Sequence, residues 1–155
     1  MKKATFNNLI NLEYPDDFKE LSNEENQKYF TGDFLRLSLH NEEKHILLSI
    51  SKSNEIFINR FVGIGVAAKG ALKNLENNLL DYCFIEEIDQ DLFNTHALTE
   101  CFSYTASNQE VQQYGELSVF KIKKAFYNVY CLSRLEDKEE AKKIFKEFRD
   151  SFSSK

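Results

Sequence analysis

The stretch Gly115-Glu-Leu-Ser-Val-Phe-Lys-Ile-Lys123 is followed at once by Ala125-Phe-Tyr-Asn-Val-Tyr-Cys-Leu-Ser133. Both read as β-strands, rich in aromatic and β-branched residues and joined tightly at Lys123-Lys124. Residues 136–152 then change period. Ala141, Ile144, Phe145, Phe148 and Phe152 recur at three- and four-residue spacing, the apolar stripe of an amphipathic helix. The second strand carries apolar residues on both faces: Phe126, Tyr130 and Leu132 alternate with Tyr127, Val129 and Cys131. Such a strand needs cover on both sides. The segment therefore predicts an antiparallel sheet inside a layered fold, closed by a C-terminal helix that buries Phe145.

Working outward, residues 5–13 read as a first strand that ends at the turn Tyr14-Pro15-Asp16-Asp17, where Pro15 presets its own φ. Ser22-Asn-Glu-Glu25 has the form of a capping box and starts a short helix to about Phe30, with Gly32 as its stop. Phe34-Leu-Arg-Leu-Ser-Leu-His40 alternates with period two and puts Leu35, Leu37 and Leu39 on one face. Asn41 to Lys44 turn the chain, and Ile46, Leu48 and Ile50 line the returning strand. Ile64, Ala68, Ala71, Leu72, Leu75, Leu79 and Tyr82 form the stripe of a long helix. Strands follow at about 82–89, 97–106, 114–123 and 125–133. The predicted order is β-α-β-β-α-β-β-β-β-α. The fold class is α+β: an α/β/α sandwich around a central, mostly antiparallel sheet, in a single domain spanning 1–155.

Composition narrows function by exclusion. With 14 Phe and 7 Tyr the chain has enough aromatic surface to build a core, and one Pro with five Gly leaves no long linker. A net charge of −5 is a poor footprint for nucleic acid. Lys121, Lys123 and Lys124 cluster at the hairpin turn, where charge guards a sheet edge. No run of apolar residues approaches the ~18 of a membrane span. The segment from Met1 to Asn11 has lysines but lacks the apolar core of a signal peptide, so the expected location is cytoplasmic. Cys83, Cys101 and Cys131 each fall in a predicted strand among apolar neighbours and are expected to be buried, reduced thiols.

Four patterns invite a chemical reading. Gly63-Ile-Gly-Val-Ala-Ala68 fits GxGxxA, with Glu86 and Glu87 some twenty residues on. However, a dinucleotide site needs a parallel βαβ array, and short-turned strands follow instead. Close packing of the helix on the sheet is the simpler role. His40 and His45 flank a turn bearing Glu42 and Glu43, which a metal site could use, yet no Cys joins them. Cys101 and His96 are too far apart along an extended strand to form a nucleophile–base pair. Glu86, Glu87, Asp89 and Asp91 read as a solvated acidic turn rather than as an acid–base pair. These patterns leave no expected catalytic residue, cofactor or metal. Tyr104, Tyr114, Tyr127 and Tyr130 remain as the candidate recognition surface, because tyrosine pairs apolar area with a hydroxyl.

The element order, with Leu12-Glu-Tyr-Pro-Asp-Asp-Phe18 and the tail from Tyr114-Gly-Glu-Leu117 to Phe152, resembles the PsbP-like fold. That fold is shared by photosystem II PsbP, the Ran-binding Mog nucleotide-release factor, DcrB-type proteins and type VI secretion effector chaperones. The resemblance implies a largely non-enzymatic family with diverse partners, and no functional residue carries over. The expectation is a non-enzymatic protein-binding module, an adaptor or chaperone, with a protein partner. The alternative is a small-ligand or metal-binding protein.

Overall fold

The computed structural model describes residues 1–30, 34–53, 61–106 and 110–154. Two antiparallel sheets carry the fold. The larger has seven strands in the order β3-β4-β5-β9-β8-β7-β6: β3 (Lys19–Glu20), β4 (Leu35–Asn41), β5 (Ile46–Lys52), β6 (Leu80–Leu92), β7 (Thr95–Ala106), β8 (Val111–Ile122) and β9 (Ala125–Arg134). The smaller is β1 (Lys2–Phe6), β2 (Ile10–Tyr14) and β10 (Ser153–Ser154), in the order β1-β2-β10. The helices are α1 (Asn23–Asn26), α2 (Ile64–Asn78) and α3 (Lys138–Asp150). The mostly antiparallel α+β sandwich expected from the sequence is the fold observed.

The C-terminal unit forms as its pattern dictates. β8 and β9 pair in register from Gln113↔Arg134 to Ile122↔Ala125, and Lys123 turns the chain with φ 56°. Their residues part by parity. Tyr114, Phe120, Tyr127, Val129 and Cys131 join Ala141, Phe145 and Phe148 of α3 and Ile10 and Leu12 of β2 in one core. Leu117, Val119 and Phe126 join Ala68 of α2 in a second. Phe145 is fully buried and stacks on Tyr114 at 6.4 Å. One face of the large sheet is thus covered by α3 and the small sheet, the other by α2.

Several boundaries differ from the expectation. The first strand is a hairpin: Asn7 and Asn8 adopt left-handed backbone (φ 53° and 52°), a conformation their short polar side chains tolerate. Phe93 and Asn94 do the same between β6 and β7, as a type I′ turn requires. The acidic residues 86–91 therefore stand on an edge strand, not in a turn. The capping box forms as read: Glu25 N–H donates to Ser22 Oγ (3.2 Å) and Ser22 N–H to Glu25 Oε1 (3.0 Å). Yet α1 is a single turn, and Gly32 lies outside the described residues. The long helix stops at Asn78, and Tyr82 belongs to β6.

Candidate aromatic groove on the α2 face

α2 packs chiefly over β6, β7 and β8. Its packing on β4 and β5 is weaker, and the alternating sequence of those strands fits that position. β4 alternates Leu37 and Leu39, which enter the α3-side core, with Arg36, Ser38 and His40. β5 alternates Ile46, Leu48 and Ile50 with Leu47, Ser49 and Ser51. The serines on that face are buried all the same, and Ser38 Oγ donates to Ser49 Oγ at 3.0 Å.

A groove results. Two cavities of about 630 and 890 Å³ share Tyr29, Asn78, Leu79, Tyr104 and Leu132 and so form one continuous depression. One wall is the side of α2, from Gly70 to Asn78. The other is the chain after α1, where Phe30 packs on Tyr130 (5.6 Å) and Tyr29 on His40 (5.6 Å). Tyr82, Phe102 and Tyr104 make a row of tilted rings at 5.7 and 5.9 Å that ends in the groove. The row crosses the sheet at Gly115, where a Cβ would stand 2.4 Å from Phe102 Cζ and 2.9 Å from Leu132 Cδ2. Only glycine leaves room there for both side chains.

The groove differs in charge from the rest of the molecule. The chain carries −5 overall, but Lys28, Arg36, Lys52 and Arg134 line the groove, and Glu42 is the one carboxylate among the described lining residues. Half-buried Arg36 donates to Ser49 Oγ (3.0 Å) and holds its guanidinium 3.7 Å over the Phe30 ring. Burial pulls its pKa down, opposed by the Tyr130 phenol. Among the described residues no carboxylate neutralises it. Burial likewise lowers the pKa of His40, raises that of Tyr130, and raises that of Tyr104 to about 12.

The four candidate tyrosines divide between the faces. Tyr104 and Tyr130 line the groove. Tyr114 and Tyr127 are 1% and 2% exposed in the opposite core, so the expected patch is not one surface. Tyr114 donates to Glu116 Oε2 (2.6 Å), and the Tyr127 hydroxyl accepts from Asn7 Nδ2 (3.0 Å). Sequence reading missed Arg36, which stood among the polar positions of an alternating strand, and the aromatic pair Tyr29 and Phe30.

Gly63 caps α2 without a side-chain hydrogen bond, and a Cβ at Gly63 or Gly65 would meet nothing within 4 Å. Close packing therefore does not explain these two glycines; Ala68, 1% exposed, makes the tight contact. Every strand pairing described is antiparallel, so no βαβ unit follows α2. His40 and His45 both line the groove with Glu42. Among the described residues, however, no three His, Cys, Asp or Glu side chains gather as a metal site requires. His96 contacts Asp89 rather than Cys101.

Cys101 and Cys131 are buried, as expected, but Cys83 is exposed. It sits on the edge strand β6, where register shifts between Leu80 and Cys83 and between Phe84 and Glu86 turn side chains out of the sheet. Under α2 lies one further polar group. Glu100, 1% exposed, makes no hydrogen bond with its carboxyl oxygens among the described residues. Burial raises its pKa to about 8, helped by Glu87 opposite on β6.

Known structures share this arrangement of layers. CyanoP, the cyanobacterial PsbP of Synechocystis sp. PCC 6803, matches with a TM-score of 0.71 at 10% identity, over 99% of this chain and 92% of its own. This is the PsbP-like fold. PA94 of Pseudomonas aeruginosa matches with a TM-score of 0.57 at 12% identity, over 94% of this chain and 91% of its own. LpqN of Mycobacterium tuberculosis, involved in cell envelope biogenesis, matches with 0.56 at 12% identity, over 94% and 82%. No family model and no curated protein matches the sequence. At such identities the PsbP-like fold is what is shared, and the groove must be read from this chain's own residues. No helix among the described residues is long and apolar enough to cross a membrane.

Proposed function

We propose that this chain is a non-enzymatic protein-binding module of the adaptor or chaperone type, a single cytoplasmic domain that holds a protein partner in the α2-side groove. The observation that carries the reading is the groove itself: an open, aromatic-walled depression in which Tyr104, Tyr130, Tyr29 and Phe30 offer rigid contact area with hydroxyls at its edge. Aromatic anchors around a concavity are the usual energetic centre of a protein interface. The chemistry supports the same reading. The described groove residues pair no nucleophile with a base, and the resemblance to PsbP-like proteins is to a largely non-enzymatic group.

Cys101 and Cys131 cannot pair with each other. They flank Glu116 in register on β7 and β9, two strand spacings or roughly 10 Å apart. That distance is beyond the reach of a disulfide.

The test is site-directed photocrosslinking in native lysate. A benzophenone side chain at Tyr29, 49% exposed on the groove wall, should give discrete protein adducts. The same group at exposed Glu140 on α3 should not. Tyr104→Ala with Tyr130→Ala should abolish the Tyr29 adducts. Equal labelling at both sites, or none at either, would remove the reading. The groove volume also suits a small molecule, and that alternative predicts a thermal shift instead. A ligand at 100 times Kd adds about 2.7 kcal/mol to stability.

A further inference from the structure

Arg36 is a charge without its opposite among the described residues. It sits on the floor of the groove, half-buried, between the Phe30 ring and Ser49 Oγ. Both neighbours are neutral, as is Tyr130. Withdrawing a guanidinium from water without a counter-charge is costly, and such groups are ordinarily paired. The guanidinium carbon lies over the Phe30 ring, and the N–H groups not given to Ser49 form a fork suited to a carboxylate taken in bidentate fashion. Lys28 and Arg134 line the same groove beyond Tyr29, and Arg134 meets Glu136 only at 3.8 Å on the exposed rim. Apolar side chains share the lining with these cations: Leu79, Leu132, Tyr104 and Phe34.

We infer that the groove takes an extended segment of a partner protein in which acidic residues alternate with aromatic or aliphatic ones, a partner carboxylate closing on Arg36. This inference rests on the groove being the partner site. The charge contrast favours a protein segment over a nucleic acid. Four cations sharing the lining with Glu42 are few for a phosphate track, and the rest of a −5 surface would repel a polyanion that runs past the groove.

The test uses fluorescence anisotropy and three labelled nine-residue peptides alternating Glu, Gln or Lys with Phe and Leu. The wild-type chain should bind the Glu peptide about tenfold or more tightly than the Gln peptide, and bind the Lys peptide least. The preference for Glu should shrink as salt rises. Arg36→Gln should reduce it to near unity, with the larger loss of affinity falling on the Glu peptide. That result separates loss of a charge contact from loss of fold. Tyr104→Ala should weaken the Glu and Gln peptides alike.

If both bind equally and Tyr104→Ala weakens both, the groove is a partner site but the acidic preference is wrong. If no peptide binds, or Tyr104→Ala changes nothing, the groove reading falls and this inference with it. Displacement of the Glu peptide by a fifteen-nucleotide oligo(dT), or Arg36-dependent binding to phosphatidylglycerol vesicles in place of peptide, would also overturn the inference.

Discussion

Arg149, in the last turn of α3, sets Nη1 2.7 Å from Oε1 of Glu116 on β8, with the two residues only 8% and 3% exposed. Oε1 is thus the ion-pair partner, while Oε2 accepts from the Tyr114 hydroxyl at 2.6 Å. Glu116 and Cys131 both act to raise the pKa of Arg149 against its burial. The pair fastens the closing helix to the centre of the sheet.

Breaking it from one side should therefore be severe. Arg149→Met leaves a carboxylate buried without a counter-charge and should cost about 3–5 kcal/mol in a urea titration. Adding Glu116→Leu removes the stranded charge and should recover much of the loss. A single variant within about half a kcal/mol of wild type, as at an ordinary surface site, would mean that water reaches the pair.

Glu100 sets a pH dependence whose sign follows from its surroundings. Its pKa rises from 4.5 to about 8 in the folded chain because the carboxyl is buried under α2 beside Glu87. Between these values the folded state keeps a proton that the unfolded state has released, so stability falls as pH rises through the window and levels off above about 8. Glu100→Gln cannot ionise. Its melting temperature should exceed that of wild type at about pH 8.5 and converge on it near pH 4.5. Parallel curves for the two proteins would show that Glu100 does not carry the slope.

The three thiols should react at two rates. Burial raises the pKa of Cys101 to about 11 and that of Cys131 to about 12, with Arg149 opposing the rise in both. Cys83 is exposed on β6. In native protein one thiol should react promptly with a thiol reagent and two only after unfolding. Mass mapping of the fast adduct should find it on Cys83. A fast adduct on Cys101 or Cys131 would mean that β7 or β9 opens locally.

How far the sequence carried this picture depends on what periodicity can encode. Residues 115–152 were legible because alternation and the three- and four-residue stripe each bury one set of side chains, and Phe145, Phe148 and Phe152 are buried where the stripe put them. Parity along a strand was legible too. Tyr127 and Tyr130 are three residues apart and had to face opposite sides, so one four-tyrosine surface was already inconsistent. The turn at Asn7-Asn8 carried no glycine to announce it. Cys83 looked internal because its neighbours are apolar, but strand order, which decides what becomes an edge, is a long-range property. The groove was hidden for the same reason. It exists because α2 packs chiefly on β6 to β8, and no local pattern records that offset.

The row that supports the groove can be tested through its glycine. Phe102, Gly115 and Leu132 face one another across β7, β8 and β9. A methyl group on Gly115 would stand 2.4 and 2.7 Å from Phe102 Cζ and Cε2. Phe102 is 1% exposed and held between Tyr82 and Tyr104, so its ring can yield only by pushing Tyr104 toward the groove. Gly115→Ala should accordingly cost about 1–3 kcal/mol, the usual penalty for overpacking. It should also weaken any ligand that rests on Tyr104. Gly70 supplies the opposite case. It lies inside α2, and a Cβ there meets nothing within 4 Å. Gly70→Ala should stabilise by about 0.5–1 kcal/mol through helix propensity alone. Urea midpoints measured side by side should move in opposite directions. If Gly115→Ala proves as benign as Gly70→Ala, Phe102 is free to turn, and the wall bearing Tyr104 is softer than the packing around it implies.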